Sequence, residues 1–367
     1  MTARITFTRP VASAVSQLAD VASAESLILA TIDSAERWLI IGQMYICCRK
    51  GKSVEYVLQA IARAARRGVK CKIFVDETVF DRNLRQAKID YIEPVERLAA
   101  LPNCDLVTIE VAEGLGIHHS KLILADTGQM WLGSNNLDWK SFEHIVEVGV
   151  HVVDKRWARH IEEMYRWVEQ GRIAPRTDVV RGECGLLFDT YTKGASLRDR
   201  AVWHALLEDI VQARQRVAIS TRRLSRMSRY GETGDWHDLV SALGQATERG
   251  VHVRILVDEY QFRRDEDRAL WEELRLKNID LGVLSVGPFR WLPIEYARML
   301  HSKFTLIDDA IAWVGTGNLT PDDFNYYDNI FCRLNSGPAI DQLNRIFQML
   351  EVATDGMVTG NDEKLNG

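Results

Sequence analysis

Short apolar runs and longer amphipathic stretches alternate along this chain from about residue 38 onward. Runs over 38–48, 70–76, 105–111, 122–124, 130–132 and 147–154 are rich in Ile, Val and Leu and bounded by polar turns, which predicts buried strands. Between them, Val54, Val57, Leu58, Ile61 and Ala65 recur at helical spacing, and Gly68 is placed to end that helix. Further helices are expected near 94–101 and 156–169. A connector over 171–192, containing Pro175, reads as irregular. Beyond it the rhythm restarts, with helices at 200–213, 235–249 and 265–276, strands at 216–221 and 251–259, and a closing helix at 339–352. The alternation argues for α/β sheets covered by helices.

The two stretches share one pattern. His119, Lys121 and Asp126 are followed by Gly133, Ser134 and Asn136, then by Glu147. His301, Lys303, Asp308, Gly315, Thr316 and Asn318 repeat the order with a constant offset of 182 residues (119 to 301). RRGVKCKIFVDE, ending at Glu77, and ERGVHVRILVDE, ending at Glu259, keep that same 182-residue offset. Two composite motifs and a third segment in register are a duplicated domain. The chain then divides into a helical lead-in over 1–34, a first repeat over 35–175, a second over 176–355, and a polar tail over 356–367 expected to be disordered.

The doubled His-x-Lys, Asp, Gly-Ser/Thr-x-Asn pattern resembles the phospholipase D superfamily of phosphodiesterases. The flanks WLGSNNLDWKSFEHIVEVGV, IEYARMLHSKF and WVGTGNLTPDDF look like those of lysosomal phospholipase D-like 5′ exonucleases and their poxviral relatives. The resemblance implies an α/β fold of two similar phospholipase D-type sheet domains with flanking helices, related by a pseudo-twofold axis. Both motifs lie on one chain, so no oligomer is required to complete a site.

Charge and cysteines narrow the setting. The net charge of −5 leaves no overall basic field, so any anion-binding surface must be local. The six cysteines form no Cys-x-x-Cys pair, and several lie in apolar runs, which favours packed thiols in a cytoplasmic protein over a disulfide frame or zinc site. No run has the length of a signal peptide core or a membrane span. The lysosomal look-alikes differ here, since they carry a membrane anchor.

A lone strand histidine is more often a hydrogen-bonded core residue than a catalyst, but two His–Lys pairs at one offset reverse that expectation. Strand alternation puts His119 and Lys121 on one face, as it does His301 and Lys303. Cleaving a phosphodiester needs a nucleophile, a proton for the leaving oxygen, and positive charge on the non-bridging oxygens. Two histidines and two lysines supply all three with no metal or cofactor. By resemblance, one histidine forms a phosphohistidine and the other protonates the leaving group, while the lysines with Asn136 and Asn318 hold the phosphoryl oxygens. Asp126 and Asp308 belong to the motif, with pinning a turn as their plainer role. Ser134 and Thr316 either donate to phosphate or pack beside it.

Glu147 follows Gly133 at the spacing at which Asn329 follows Gly315. A carboxylate partner raises an imidazole's pKa as an acid needs, and an amide leaves it neutral as a nucleophile needs. Assigning Glu147 to His119 makes His119 the acid and His301 the nucleophile. The resemblance favours the nucleophile in the first motif, and Asp328 beside Asn329 keeps both assignments open.

Arg214, Arg216, Arg222, Arg223, Arg226 and Arg229 form an acid-free run, matched in the first repeat by Arg49, Lys50 and Lys52. A charge run is ordinarily a solvated face. Here it follows a strand, and the expectation is a cationic rim for a phosphate backbone, with Arg298 nearby. Tyr296, Trp291, Phe289 and Trp139 are candidates to stack bases, or else core. These features favour a nuclease acting on single-stranded DNA or RNA. A phospholipase D or phosphatidyl transferase acting on phospholipid is the alternative. A non-catalytic phosphate-binding protein is disfavoured by the intact histidines and lysines.

Overall fold

The structure is a computed structural model that describes residues 2–9, 18–77, 92–111, 116–170, 184–189, 201–228, 237–263, 265–284, 299–335 and 337–358. The first half runs β1 (Thr2–Thr8), α1 (Ala24–Asp33), β2 (Trp38–Gln43), β3 (Ile46–Cys47), α2 (Ser53–Arg66), β4 (Lys70–Asp76), α3 (Glu93–Ala99) and β5 (Cys104–Ile109). It continues through β6 (Ile117–His118), β7 (Lys121–Ala125), β8 (Gln129–Gly133), β9 (Leu137–Asp138), α4 (Trp139–Glu143), β10 (Glu147–Val153) and α5 (Lys155–Glu169). The second half runs β11 (Cys184–Asp189), α6 (Ala201–Gln212), β12 (Arg216–Thr221), α7 (His237–Glu248), β13 (His252–Asp258) and α8 (Asp265–Leu276). It closes with β14 (Asp280–Leu284), β15 (Phe304–Ile307), β16 (Ile311–Gly315), α9 (Pro321–Asn325), β17 (Tyr327–Leu334) and α10 (Pro338–Val358).

Each half folds its own sheet, in the same order. The first is β1-β10-β8-β7-β2-β4-β5 and the second β11-β17-β16-β15-β12-β13-β14. In both, the last three strands are mutually parallel and the rest antiparallel. Alternation explains how each strand is used. Leu122 and Leu124 of β7 face a central core that they share with Phe304 and Leu306 of β15 and with α5 and α10. Ile123 and Ala125 face the other way, beneath α1 and α2. The second sheet buries its outer face under α6, α7 and α8. The two sheets thus meet at their inner faces and wear helices outside, the α/β arrangement expected from the sequence.

Three expectations are corrected. The lead-in is not helical at its start, because Thr2–Thr8 is an edge strand paired antiparallel with β10. The segment over 171–192 holds a strand, β11, on the matching edge of the second sheet. Thr2 and Cys184 are themselves 182 residues apart, so the duplication begins at the first strand and not at residue 35. The alternation Ile5, Phe7 against Arg4, Thr6, Thr8 carried that signal, but so short a run at a sheet edge is easily passed over. The final helix extends to Val358, so 356–358 are helical, while the rest of the tail lies outside the described residues. Cys47, Cys48, Cys71, Cys104 and Cys332 are buried free thiols.

Candidate active site

The site is built where the two sheets meet, at the starts of β7 and β15. Each lysine folds back onto its own histidine: Lys121 Nζ donates to the His119 carbonyl at 2.7 Å and Lys303 Nζ to that of His301 at 2.6 Å. Each loop is clamped from the parallel side of its sheet. Asp76, at the end of β4, accepts the His118 N–H at 2.5 Å, and Asp258, at the end of β13, accepts the Leu300 N–H at 2.8 Å. Both aspartates are 1% exposed, so the carboxylates are committed to the backbone. Sequence reasoning missed them, although they sit at the matching ends of the third repeated segment.

The repeats are stitched to each other at the histidines. His119 N–H donates to the Asp328 carbonyl at 3.1 Å, and His301 N–H donates to the Val146 carbonyl at 2.9 Å. β6 pairs with β17, adding a piece of the first repeat to the second sheet. The side-chain partners cross in the same way. His301 Nδ1 lies 2.9 Å from Glu147, and His119 Nδ1 lies 2.9 Å from Asn329 Oδ1. This overturns the within-repeat pairing of Glu147 with His119. Strands β10 and β17 run along the meeting line of the sheets, so a residue at their starts faces the other repeat's histidine.

The amide fixes a tautomer. Asn329 Nδ2 donates to the Asp323 carbonyl at 2.6 Å and Thr316 Oγ1 donates to Asn329 Oδ1 at 2.8 Å. With its oxygen turned to His119, Asn329 accepts Nδ1–H and leaves the Nε2 lone pair free. Thr316 is therefore an orienting residue and not a phosphate donor. Ser134 is likewise turned inward, donating to the Val148 carbonyl at 3.0 Å. Asn329 meets the histidine, which corrects its assignment as a substrate contact. The motif glycine is needed because a Cβ at Gly133 would lie 2.5 Å from the Cα of Gly149 across the sheet.

Burial and crowding set the electrostatics. Burial, then Lys121 and Lys303, hold the His119 imidazole well below its usual pKa, and burial with Lys303, Arg222 and Lys121 does the same to His301. Burial pushes Glu147 up to about 7, against the pull of Lys303. Both lysines are lowered by burial, with Glu147 drawing Lys303 back toward charge. Two buried lysines, offset in part by Glu147, Asp323, Asp76 and Asp258, make a site whose charged form a phosphate group would stabilise. Among the described residues no three His, Cys, Asp or Glu side chains are grouped to hold a metal ion. Asn318 and Asn136 each have an amide oxygen without a hydrogen bond, Asn318 beside Asp323 and Asn136 beside the Tyr45 hydroxyl.

Other expected residues go elsewhere. Asp126 accepts the backbone N–H groups of Glu36 and Arg37 at 2.9 and 3.1 Å, and Asp308 those of Arg214, Gln215 and Arg216 at 2.7–3.0 Å. They pin the start of β2 and β12 at the far ends of β7 and β15, roughly 15 Å along the strand from the lysines, and are not catalytic. The arginine rim is largely spent. Arg223 forms a salt bridge to Asp267 at 2.8 Å and Arg226 pairs with Glu273, both acids from α8. Arg216 is tied to Asp309. Arg222 differs: its guanidinium lies 4.8 Å from the Tyr260 ring centroid, its Nε makes no hydrogen bond, and its charge bears on both histidines. Trp139 is 2% exposed and packs in the core under Arg49 and Lys52, so it is no base-stacking platform. Tyr296, Arg298, Trp291, Phe289 and Arg229 lie outside the described residues.

Two His–Lys pairs, with His119 and His301 in the loops that lead into β7 and β15 and not on strands as expected, are brought to one buried site by an internal duplication, the arrangement expected of the phospholipase D class. Both halves match the family described as "Cardiolipin synthase, PLD-like domain", over residues 28–168 and 206–351, and the chain belongs to that family. It is similar to a probable phospholipase D of Caenorhabditis elegans, 25% identical over 86% of this chain and 64% of that protein. It is similar to the virion nicking-joining enzyme of monkeypox virus, 25% identical over 75% of this chain and 68% of that one. Among solved structures, phosphatidylserine synthase of Haemophilus influenzae superposes with a TM-score of 0.62 at 13% identity, over 95% of this chain and 86% of that one, which establishes the shared fold. The chain thus spans a little under two thirds of the worm relative's length. No helix among the described residues is long and apolar enough to cross a membrane.

Proposed function

We propose that this phospholipase D-superfamily phosphodiesterase cleaves single-stranded nucleic acid without a metal, through a phosphohistidine on His119. His119 Nε2 attacks phosphorus while His301 gives its proton to the leaving oxygen. The N–P bond forms as the P–O bond breaks. His301 then takes a proton from water, which attacks phosphorus and releases His119. Lys121 and Lys303 hold the non-bridging oxygens throughout. The crossed pairing carries this assignment: the carboxylate of Glu147 opposes the burial and cationic neighbours that hold the His301 pKa down, and so favours its imidazolium relative to His119, which the amide of Asn329 leaves a neutral nucleophile. It inverts the order that within-repeat pairing implies.

Arg222 supports the polyanionic substrate. A half-buried guanidinium with no acid at ion-pair distance among the described residues, stacked on Tyr260 at the edge of a site that already has two lysines, suits a second phosphate beside the scissile one. A lipid surface would call for a contiguous apolar lip. The exposed large apolar side chains among the described residues (Tyr56, Val153, Val211, Leu276 and Val352) lie on five different elements. Relatives named for phospholipase D and for nicking-joining support the shared chemistry more than either substrate. The test is turnover in EDTA on single-stranded DNA, single-stranded RNA, duplex DNA and phosphatidyl lipid vesicles. Cleavage of a single strand in EDTA is expected. Activity confined to the lipid, or lost in EDTA and restored by magnesium, would count against the proposal.

A further inference from the structure

The residues that back the two histidines have exchanged chemistry between the repeats. At the 182-residue offset, Ser141 corresponds to Asp323 and Glu147 to Asn329. Each repeat therefore keeps one carboxylate, but at a different position. Glu147 bonds its histidine directly at 2.9 Å. Asp323 stands behind Asn329, with Oδ1 3.7 Å from His119 Nδ1. It is held there by the Asn318 N–H at 2.9 Å and the Thr320 hydroxyl at 2.6 Å, while its own carbonyl takes the Asn329 amide at 2.6 Å. Asp323 is 2% exposed, and among the described residues its one partner at ion-pair distance is His119. Burial raises its pKa while Lys303 acts on it from beyond ion-pair distance, and a cation appearing on the adjacent ring would stabilise its charged form.

We propose that Asp323 is the positioning carboxylate of the nucleophile: it stabilises the positive charge that the His119 ring acquires when Nε2 bonds phosphorus. In that step the ring keeps its Nδ1–H, the N–P bond forms, the leaving oxygen departs with the proton of His301, and the ring becomes cationic. Of the other groups that bear on His119, the Asn329 amide favours ring charge through its hydrogen bond, Lys121, Lys303 and Arg222 oppose it, and Glu147 is engaged with His301. At 3.7 Å the Asp323 carboxylate is too far to bind the Nδ1 proton ahead of Asn329, yet near enough to act on ring charge. The resting imidazole stays neutral and the phosphorylated one is stabilised.

The inference rests on the phosphodiester-cleavage reading above, and its test separates the two. Wild type, Asp323→Asn, Asp323→Ser and the relocated pair Asp323→Ser/Asn329→Glu are compared on a small chromogenic phosphodiester across pH. Asp323→Asn is expected to lose about tenfold or more in kcat and to move the acidic limb of kcat/KM down by about one pH unit, because His119 loses a negative neighbour. The relocated pair copies Ser141 and Glu147; its carboxylate raises the His119 pKa and moves the acidic limb up, and on the plateau above that limb it should exceed Asp323→Ser alone by about tenfold. A folded Asp323→Asn enzyme with the wild-type profile overturns the assignment, as does a relocated pair no better than Asp323→Ser. Should the single variants fail to fold, the relocated pair decides: recovered fold with turnover supports the role, and anything less overturns it. A wild type inert on all phosphodiesters defeats the cleavage reading instead. The His119 ring pKa from histidine NMR then still decides, and no fall in Asp323→Asn rejects the role of Asp323.

Discussion

The two halves of this molecule share strand order, clamp and His–Lys geometry, yet differ in what surrounds each histidine. Asp76 and Asp258, Lys121 and Lys303, and the crossed backbone bonds of His119 and His301 are equivalent in the two repeats. Against that frame, one histidine has a carboxylate and the other an amide, and Arg222 follows β12 where Met44 follows β2. Duplication supplies two identical tools held in place by invariant backbone contacts. Divergence of a few side chains then gives each tool a different chemical setting.

Removing the tools themselves should have the largest effect. His119→Ala and His301→Ala are each expected to lose roughly three or more orders of magnitude in turnover with folding intact, but they should differ in kind. Rapid quench with a good leaving group should trap a phosphoryl enzyme in His301→Ala and none in His119→Ala. Phosphate mapped to His301 in the wild type would reverse the division of labour.

Equalising the partners comes next. Glu147→Gln should reduce turnover by about ten- to a hundredfold by lowering the pKa of His301, a group that must be protonated to act as acid. The alkaline limb of the rate profile therefore moves to lower pH, and substrates with good leaving groups are relatively spared. Movement of the acidic limb instead would make His301 the base or nucleophile.

The smallest difference concerns the arginines. Arg222→Ala should weaken oligonucleotide binding by about tenfold and flatten the slope of log affinity against log salt by about one, sparing a small chromogenic diester more. Arg226→Ala, which breaks only the pair with Glu273, should lower the melting temperature without changing that slope. Equal salt slopes in the two variants would remove Arg222 from the substrate path.

Much of this was legible in the chain because the duplication printed it twice. The 182-residue offset marked the histidines, the lysines and, had the comparison been taken one residue further back from Glu77 and Glu259, the clamps Asp76 and Asp258. The same offset applied to Thr2 would have revealed the edge strands. What could not be read was the crossing. Spacing along a chain says which residues are equivalent, but the partner of Glu147 depends on how two sheets dock, and that is fixed by the shared core and not by a local motif. The arginine run misled for a similar reason, since the acids that neutralise Arg223 and Arg226 lie on a helix, 44 and 47 residues later.

The crossed stitching also governs when the enzyme can exist during its own synthesis. A ribosome that has delivered the first repeat has made His119 and Lys121, but neither the Asp328 carbonyl that holds the loop nor the Asn329 amide that sets the ring. Glu147 is likewise present with no histidine to serve. The half-made chain has its reactive parts unaimed and lacks the second half of the shared core. On the proposed reading, chemistry on a phosphodiester becomes possible only after β17 has docked, so the reactive centre is withheld until the second sheet is complete.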